Sequence, residues 1–306
     1  MSAAAEGDDT NTMMFCASCG EADGDDIKLM RCACKLVKYC GVKCQKDHRP
    51  QHKKECKKRV AELKDEILFK QPEGSCFGDC PICCLPLPID NSKSILYACC
   101  SKVICKGCVG ANLKRVAEER LEPKCPFCRK APPKTNEEEN EQKRKRIEAN
   151  DPVAICQMGA EKYHEGDYDS AFKYYSRAAV LGDMSAHFQL SRLYDEGTGV
   201  EKNEKKHVYH AEKAAIGGHP HARHNLGCNE EQRGSFGRAA NHYIIAAKLG
   251  DDGSLKRVKD LYQAGIVNKD DFTAALRGHK AAIDATKSPQ REEAYAFYKK
   301  YIEGKV

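Results

Sequence analysis

Seventeen of the nineteen cysteines in this 306-residue chain fall between residues 16 and 128, most of them in pairs no more than four positions apart. Thiols this dense form a disulfide scaffold, a set of metal sites or a redox device. The opening MSAAAEGDDTNTMM is acidic where a secretory signal needs a basic start and an apolar run. No uncharged apolar stretch approaches the roughly 20 residues of a membrane span. A reducing compartment, cytoplasm or nucleus, is therefore the expectation, and there cysteines at short fixed spacings hold zinc. Metal changes the reading of charge as well: fifteen thiolates and four dications bring the formal +6 to about −1, so basicity alone does not argue for nucleic acid.

Only Cys156 and Cys228 lie beyond residue 128, which separates a metal-dense part from a metal-free remainder. The stretch between them, residues 132–150, is rich in charge and poor in apolar residues, as expected of an exposed helical or disordered linker. Its KRKR at 143–146 reads as a solvated charge run, with a nuclear address as its other meaning.

In the first cluster the cysteines read CASC at 16–19, CAC at 32–34, YCGVKCQ at 39–45 and HKKEC at 52–56. Zinc takes four ligands in a tetrahedron, so each short pair supplies half a site and two pairs must converge. His52 and Cys56 are one helical turn apart and share a face. Seven cysteines and one histidine suffice for two closed sites. This run resembles the MYND zinc finger, although the second pair is CAC rather than CxxC and no tryptophan precedes the ligand histidine. The resemblance implies interleaved binding, with Cys16, Cys19, Cys40 and Cys44 on one ion and Cys32, Cys34, His52 and Cys56 on the other; His48 is the alternative to His52. It also implies binding of short, often proline-containing peptides. Twelve Lys or Arg against three Asp or Glu lie between Arg31 and Lys64, read as a solvated helix face, with a nucleic-acid surface as the lesser alternative.

In the second cluster the pairs are Cys80 with Cys83, Cys99 with Cys100, Cys105 with Cys108, and Cys125 with Cys128, and no histidine occurs between residues 71 and 150. CPIC and CPFCR bracket a pattern that resembles a RING finger, with the third and fourth ligands adjacent where most members separate them. The resemblance places Cys80, Cys83, Cys105 and Cys108 on one ion and Cys99, Cys100, Cys125 and Cys128 on the other; Cys76 and Cys84 are spare thiols, unligated by default, that could replace Cys99 or Cys100. It implies docking of a ubiquitin-conjugating enzyme through Ile82, Pro126 and Arg129, with no nucleophile of the chain's own. A segment so poor in large apolar residues cannot bury enough surface to fold alone, so metal supplies the stability.

Beyond residue 150 the motif AAVLG at 178–182 returns as AAIGG at 214–218, AAKLG at 246–250 and AAID at 281–284. YHEG, YDEG and YQAG at 163–166, 194–197 and 262–265 precede three of these, and the third unit has Glu230 at the tyrosine position. Each unit reads as two short helices. The array resembles Sel-one-like repeats, relatives of tetratricopeptide repeats, which implies a solenoid with a protein-binding concave face. HPHARH at 219–224 reads as scattered surface histidines, and Cys156 and Cys228 as small buried hydrophobes.

The expected organisation is a multidomain chain. It has a disordered N-terminus (1–13), a MYND-type finger (14–58), a linker helix (59–74), a RING-type finger (75–131), a charged linker (132–150), repeats (151–286) and a helix capping the solenoid (287–306). Two small zinc-stabilised α+β modules precede an all-α helical-repeat solenoid, with four zinc ions in all. The expected function is a RING-type ubiquitin ligase or ligase adaptor whose finger and repeats recruit protein substrates. The alternatives are a non-catalytic, zinc-dependent interaction scaffold and a nucleic-acid-associated regulator. No acid–base pair, phosphate loop or nucleophilic triad stands out, and sites with four protein ligands leave no position for a reactive water.

Overall fold

The computed structural model describes residues 15–24 and 27–304. The expectation for residues 1–13 lies outside the described residues. The chain divides into two compact units, residues 1–70 and 71–306.

In the first unit, β1 (Met30–Arg31) and β2 (Lys38–Tyr39) pair antiparallel, Met30 opposite Tyr39. The tight turn between them carries Cys32 and Cys34, with Lys35 in the left-handed region at φ 61°. Helix α1 (Val42–Leu68) follows and tolerates Pro50 in its interior. Of its 27 residues only His52 and Leu68 are buried. The core is Cys16, Leu29, Cys32, Cys34 and Tyr39, three of five being cysteines, which is too little apolar area to hold a fold without metal. No separate linker helix occupies 59–74, because α1 runs unbroken from the finger to Leu68.

The second unit begins with a cysteine-rich module. A hairpin of β3 (Ser94–Tyr97) and β4 (Lys102–Cys105), with Ile95 opposite Ile104, leads into α2 (Lys106–Glu118). Its core is Cys80, Leu87, Ile104, Cys105 and Val109. The charged stretch forms helix α3 (Asn136–Glu148), with no residue buried; it is tied to its neighbours by Lys143, which pairs with Glu139 and Glu161, and by Arg146, which reaches Asp151 and Ser101.

Four antiparallel helix pairs follow: α4 (Pro152–His164) with α5 (Tyr168–Val180), α6 (Met184–Glu196) with α7 (Glu204–Ile216), α8 (Pro220–Gln232) with α9 (Phe236–Lys248), and α10 (Asp252–Gln263) with α11 (Lys269–Ala285). Asp151, Asp183, His219 and Asp251 cap the first helix of each pair by accepting backbone N–H bonds. In pairs one and three a tyrosine of the second helix lies flat on a glycine of the first. A Cβ on Gly159 would stand 2.8 Å from the Tyr175 ring, and one on Gly227 2.6 Å from that of Tyr243. Ala178, Ala179, Ala214, Ala215, Ala246 and Ala247 are buried, whereas the fourth repeat marker, at Ala281, is exposed. HPHARH is not a surface cluster: His219 is buried against Phe188, their ring centroids 4.4 Å apart. Cys156 and Cys228 are half-buried, each packed against one of the apolar cores of the repeats, as expected of small hydrophobes.

The last helix, α12 (Pro289–Ile302), differs from its expected place as a cap on the repeats: it packs along α2 of the cysteine-rich module. Gly107 and Gly110 make the contact possible, since a Cβ there would stand 2.6 Å from the Arg291 carbonyl oxygen and 2.1 Å from that of Ala294. Buried Arg291 donates to the Pro86 carbonyl, Tyr298 joins the module's core, and Lys106 lies 5.1 Å from the Tyr298 ring centre. The module also rests on the repeats, where the Cys76 N–H donates to the Gly218 carbonyl and Phe77 meets His219 edge-on. Among the described residues no helix is long and apolar enough to cross a membrane.

Candidate metal centres

Sixteen side chains gather into four groups, in each of which the ligand atoms lie within 4.8 Å of one another. The first is Cys16, Cys19, Cys40 and Cys44 and the second Cys32, Cys34, His52 and Cys56; the third is Cys80, Cys83, Cys105 and Cys108 and the fourth Cys99, Cys100, Cys125 and Cys128. In the first unit the β1–β2 turn supplies Cys32 and Cys34, and α1 presents His52 and Cys56 one turn apart to meet them. Cys40 leaves β2 and Cys44 opens α1, which brings both to Cys16 and Cys19. The pairing is interleaved in both modules.

Tetrahedral zinc with four thiolates at about 2.3 Å requires sulfur–sulfur edges of about 3.8 Å. The distances are near that figure without being disulfides: 3.5 Å for Cys19–Cys40 and Cys32–Cys56, 3.9 Å for Cys83–Cys105 and Cys100–Cys125, and 3.4 Å for Cys99–Cys128. The adjacent cysteines reach one centre because the chain folds sharply after β3: the N–H groups of Cys100 and Ser101 both donate to the Tyr97 carbonyl, with Ser101 at φ 53°. His52 turns Nε2 toward Cys34 Sγ at 3.1 Å, while Nδ1 faces Glu55 at 3.8 Å. His48 is drawn away, bonded to the Tyr39 hydroxyl at 3.0 Å.

Proton affinities within a group are pulled apart. Burial raises Cys16, but the backbone N–H groups of Cys19, Cys40 and Ser18 outweigh it and hold the thiol at about 6. Cys40 is pushed up to about 12, chiefly by its hydrogen bond to Cys19. Four soft donors gathered within one tetrahedron suit a dication, and all-cysteine or Cys3His sets fit zinc. Four protein ligands per centre make these structural sites. Cys76 and Cys84 belong to none of the groups.

Of the residues expected to dock a conjugating enzyme, Ile82 is 41% exposed and Arg129 is exposed, but Pro126 is buried and its neighbour Phe127 shows at the surface instead. Arg129 borders a groove of about 280 Å³ lined also by Asn112, Arg115, Val116, Leu121 and Lys124. This groove lies on the side of α2 away from α12. Nothing local singles out Leu121 or Phe127; each is one apolar residue among the polar turns that flank the last cysteine pair.

The MYND finger family model matches residues 16–56. A 31-residue stretch is 61% identical to the human histone-lysine N-methyltransferase SMYD3, covering 10% of this chain and 7% of that protein. Another, of 56 residues, is 45% identical to the putative beta-lactamase HcpC of Helicobacter pylori, covering 18% and 19%. The chain thus spans less than a fifth of the length of these relatives. Among solved structures, the Sel1 repeat protein from Oxalobacter formigenes aligns with 27% identity and a TM-score of 0.36, over 40% of this chain and 97% of that one. The MYND match falls on the first metal-binding module, ahead of the all-helical region of α4 to α11.

Proposed function

We propose that the chain is a RING-type ubiquitin ligase or ligase adaptor, in which residues 75–131 dock a charged ubiquitin-conjugating enzyme while the MYND finger and Sel-one-like repeats recruit protein substrates. The observation that carries this reading is the pair of interleaved four-cysteine groups in one small module, with Ile82, Phe127 and Arg129 exposed on it and Arg129 bordering the groove beside α2. On this reading the chain binds four zinc ions, and catalysis is positioning of a thioester for attack by a substrate lysine. Arg129, whose planar fork bonds two acceptors at once, bridges enzyme and ubiquitin. On the MYND finger, exposed Phe15, Met30 and Leu36 offer an apolar surface for short peptides. A second reading, a zinc-dependent scaffold without ligase activity, is favoured by the burial of Pro126 and by the charged lining of the groove.

The deciding experiment is autoubiquitination by the zinc-loaded chain against a panel of conjugating enzymes, with Ile82→Ala and Arg129→Ala in parallel. Chains that form with the native protein and fall about tenfold or more in either variant support the ligase, since each variant removes a docking contact of hot-spot size. Silence across the panel, with four zinc ions per chain confirmed, leaves the scaffold.

A further inference from the structure

Outside the metal groups, Cys228 has surroundings unlike those of any other thiol. It lies on α8 one turn after His224, on the same face of the helix. The imidazole is also held on its far side, with Nδ1 2.8 Å from Ser254 Oγ and 3.4 Å from Asp251 Oδ1. Asp251 is buried and fixed as the cap of α10, accepting the Ser254 N–H at 2.6 Å. His221 approaches its other oxygen at 3.3 Å. From α9 the Tyr243 hydroxyl stands 3.4 Å from Cys228 Sγ and 2.8 Å from Glu231 Oε2, so one phenolic proton serves both. Arg257 of α10 pairs with Glu231 and lies 6.0 Å from the Tyr243 ring centre.

Carboxylate, imidazole and thiol in this order let a proton pass from sulfur to ring, because the carboxylate stabilises the imidazolium that results. The proton affinities follow the geometry. Hydrogen bonds to Asp251 and then Cys228 lift His224 to about 9, while His224 draws Cys228 below the ordinary thiol range. The other half-buried thiols outside the metal groups go the opposite way: burial pushes Cys76 up to about 12 and raises Cys156, which faces Asp183. Cys228 is only half-buried, within reach of a small molecule.

We propose that Cys228 is a covalent modification site for small soft electrophiles of the α,β-unsaturated carbonyl class, with His224 as its proton store and Asp251 as the group that positions the imidazole. The thiolate forms the sulfur–carbon bond at the β-carbon, and the carbon–carbon π pair shifts to give an enolate. The His224 imidazolium then protonates the α-carbon. Nothing leaves, and the imidazole ends neutral. The adduct sits beside Tyr243, whose ring seats on Gly227, so modification falls on the α8–α9 interface.

The test is labelling of the zinc-loaded full chain with N-ethylmaleimide, read cysteine by cysteine by mass spectrometry across pH. Cys228 is expected to label about tenfold or more faster than Cys76 and Cys156 at pH 7, and its rate to fall less than about threefold from pH 8 to pH 6. An ordinary thiol with a pKa of about 8.5 loses nearly a hundredfold over that range. In His224→Gln, with the fold checked by circular dichroism, the ordinary steep profile returns. Labelling of the native chain that is no faster than at Cys156, or that is as steep in pH as an ordinary thiol, overturns the proposal without recourse to a variant.

Discussion

The cap of each repeat is touched by the residue five positions after the cap of the repeat before it. Cys156 bonds Asp183, Phe188 stacks on His219, and His224 meets Asp251. One position thus sets the register between neighbouring repeats with three chemistries. At His219 the chemistry demands a neutral ring, because Nδ1 must accept the Ala222 N–H at 3.2 Å, and burial holds the group down to about 3. The unfolded chain binds a proton at about 6.5, so between pH 6.5 and 3 it takes up more protons than the native state. The stabilisation is full above pH 6.5 and drains as pH falls, by about 2 kcal/mol at pH 5. The His224–Asp251 pair runs the other way: its contribution is full below about 6.5 and is lost as pH rises through about 9. A His219→Asn variant, which keeps a capping acceptor, is expected to melt at a temperature less dependent on pH between 7.5 and 5 than the native chain. Equal slopes in thermal melts would show that His219 does not carry the effect.

Helix α12 is the element whose place was least legible in the sequence. Its Tyr295, Phe297, Tyr298 and Tyr301 announce an apolar face but not what covers it, and the end of a solenoid is the usual claimant. The deciding signal sat elsewhere, in Gly107 and Gly110, which lie either side of Cys108 on α2. Close approach of two helix backbones depends on a missing Cβ, and that is a property of the pair, invisible in either segment alone. The candidate ligands stood out for the opposite reason: donor type and short spacing are local, and the MYND resemblance put His52 ahead of His48. Pro126, by contrast, took its burial from tertiary packing. Gly110→Leu is expected to cost about 3 kcal/mol, at the upper end for overpacking, because the Ala294 carbonyl must move. Ala111→Leu, on the exposed side of the same helix, should stay within about 0.5 kcal/mol. Chemical denaturation of the zinc-loaded chain measures both, and equal costs would contradict the packing described.

At the scale of the molecule, the sequence suggests that chelation unfolds residues 1–130 and spares the repeats. The structure changes that expectation, since the second cysteine-rich module, α12 and the repeats form one compact unit. Removing metal should therefore loosen α12 and residues 74–77 together, while α4 and α5, which pack on each other, keep their protection. Hydrogen exchange before and after chelation measures this, and unchanged protection in α12 would mean that its seat survives without metal. The seat also joins distant parts of the chain: Lys114 and Glu293, in contact across it, are 179 residues apart. At a synthesis rate of about 5–20 residues per second, α2 waits roughly 10–35 s on the ribosome before α12 emerges to cover it. Throughout that interval the glycine seam of a newly made module is bare to any other helix that can approach it.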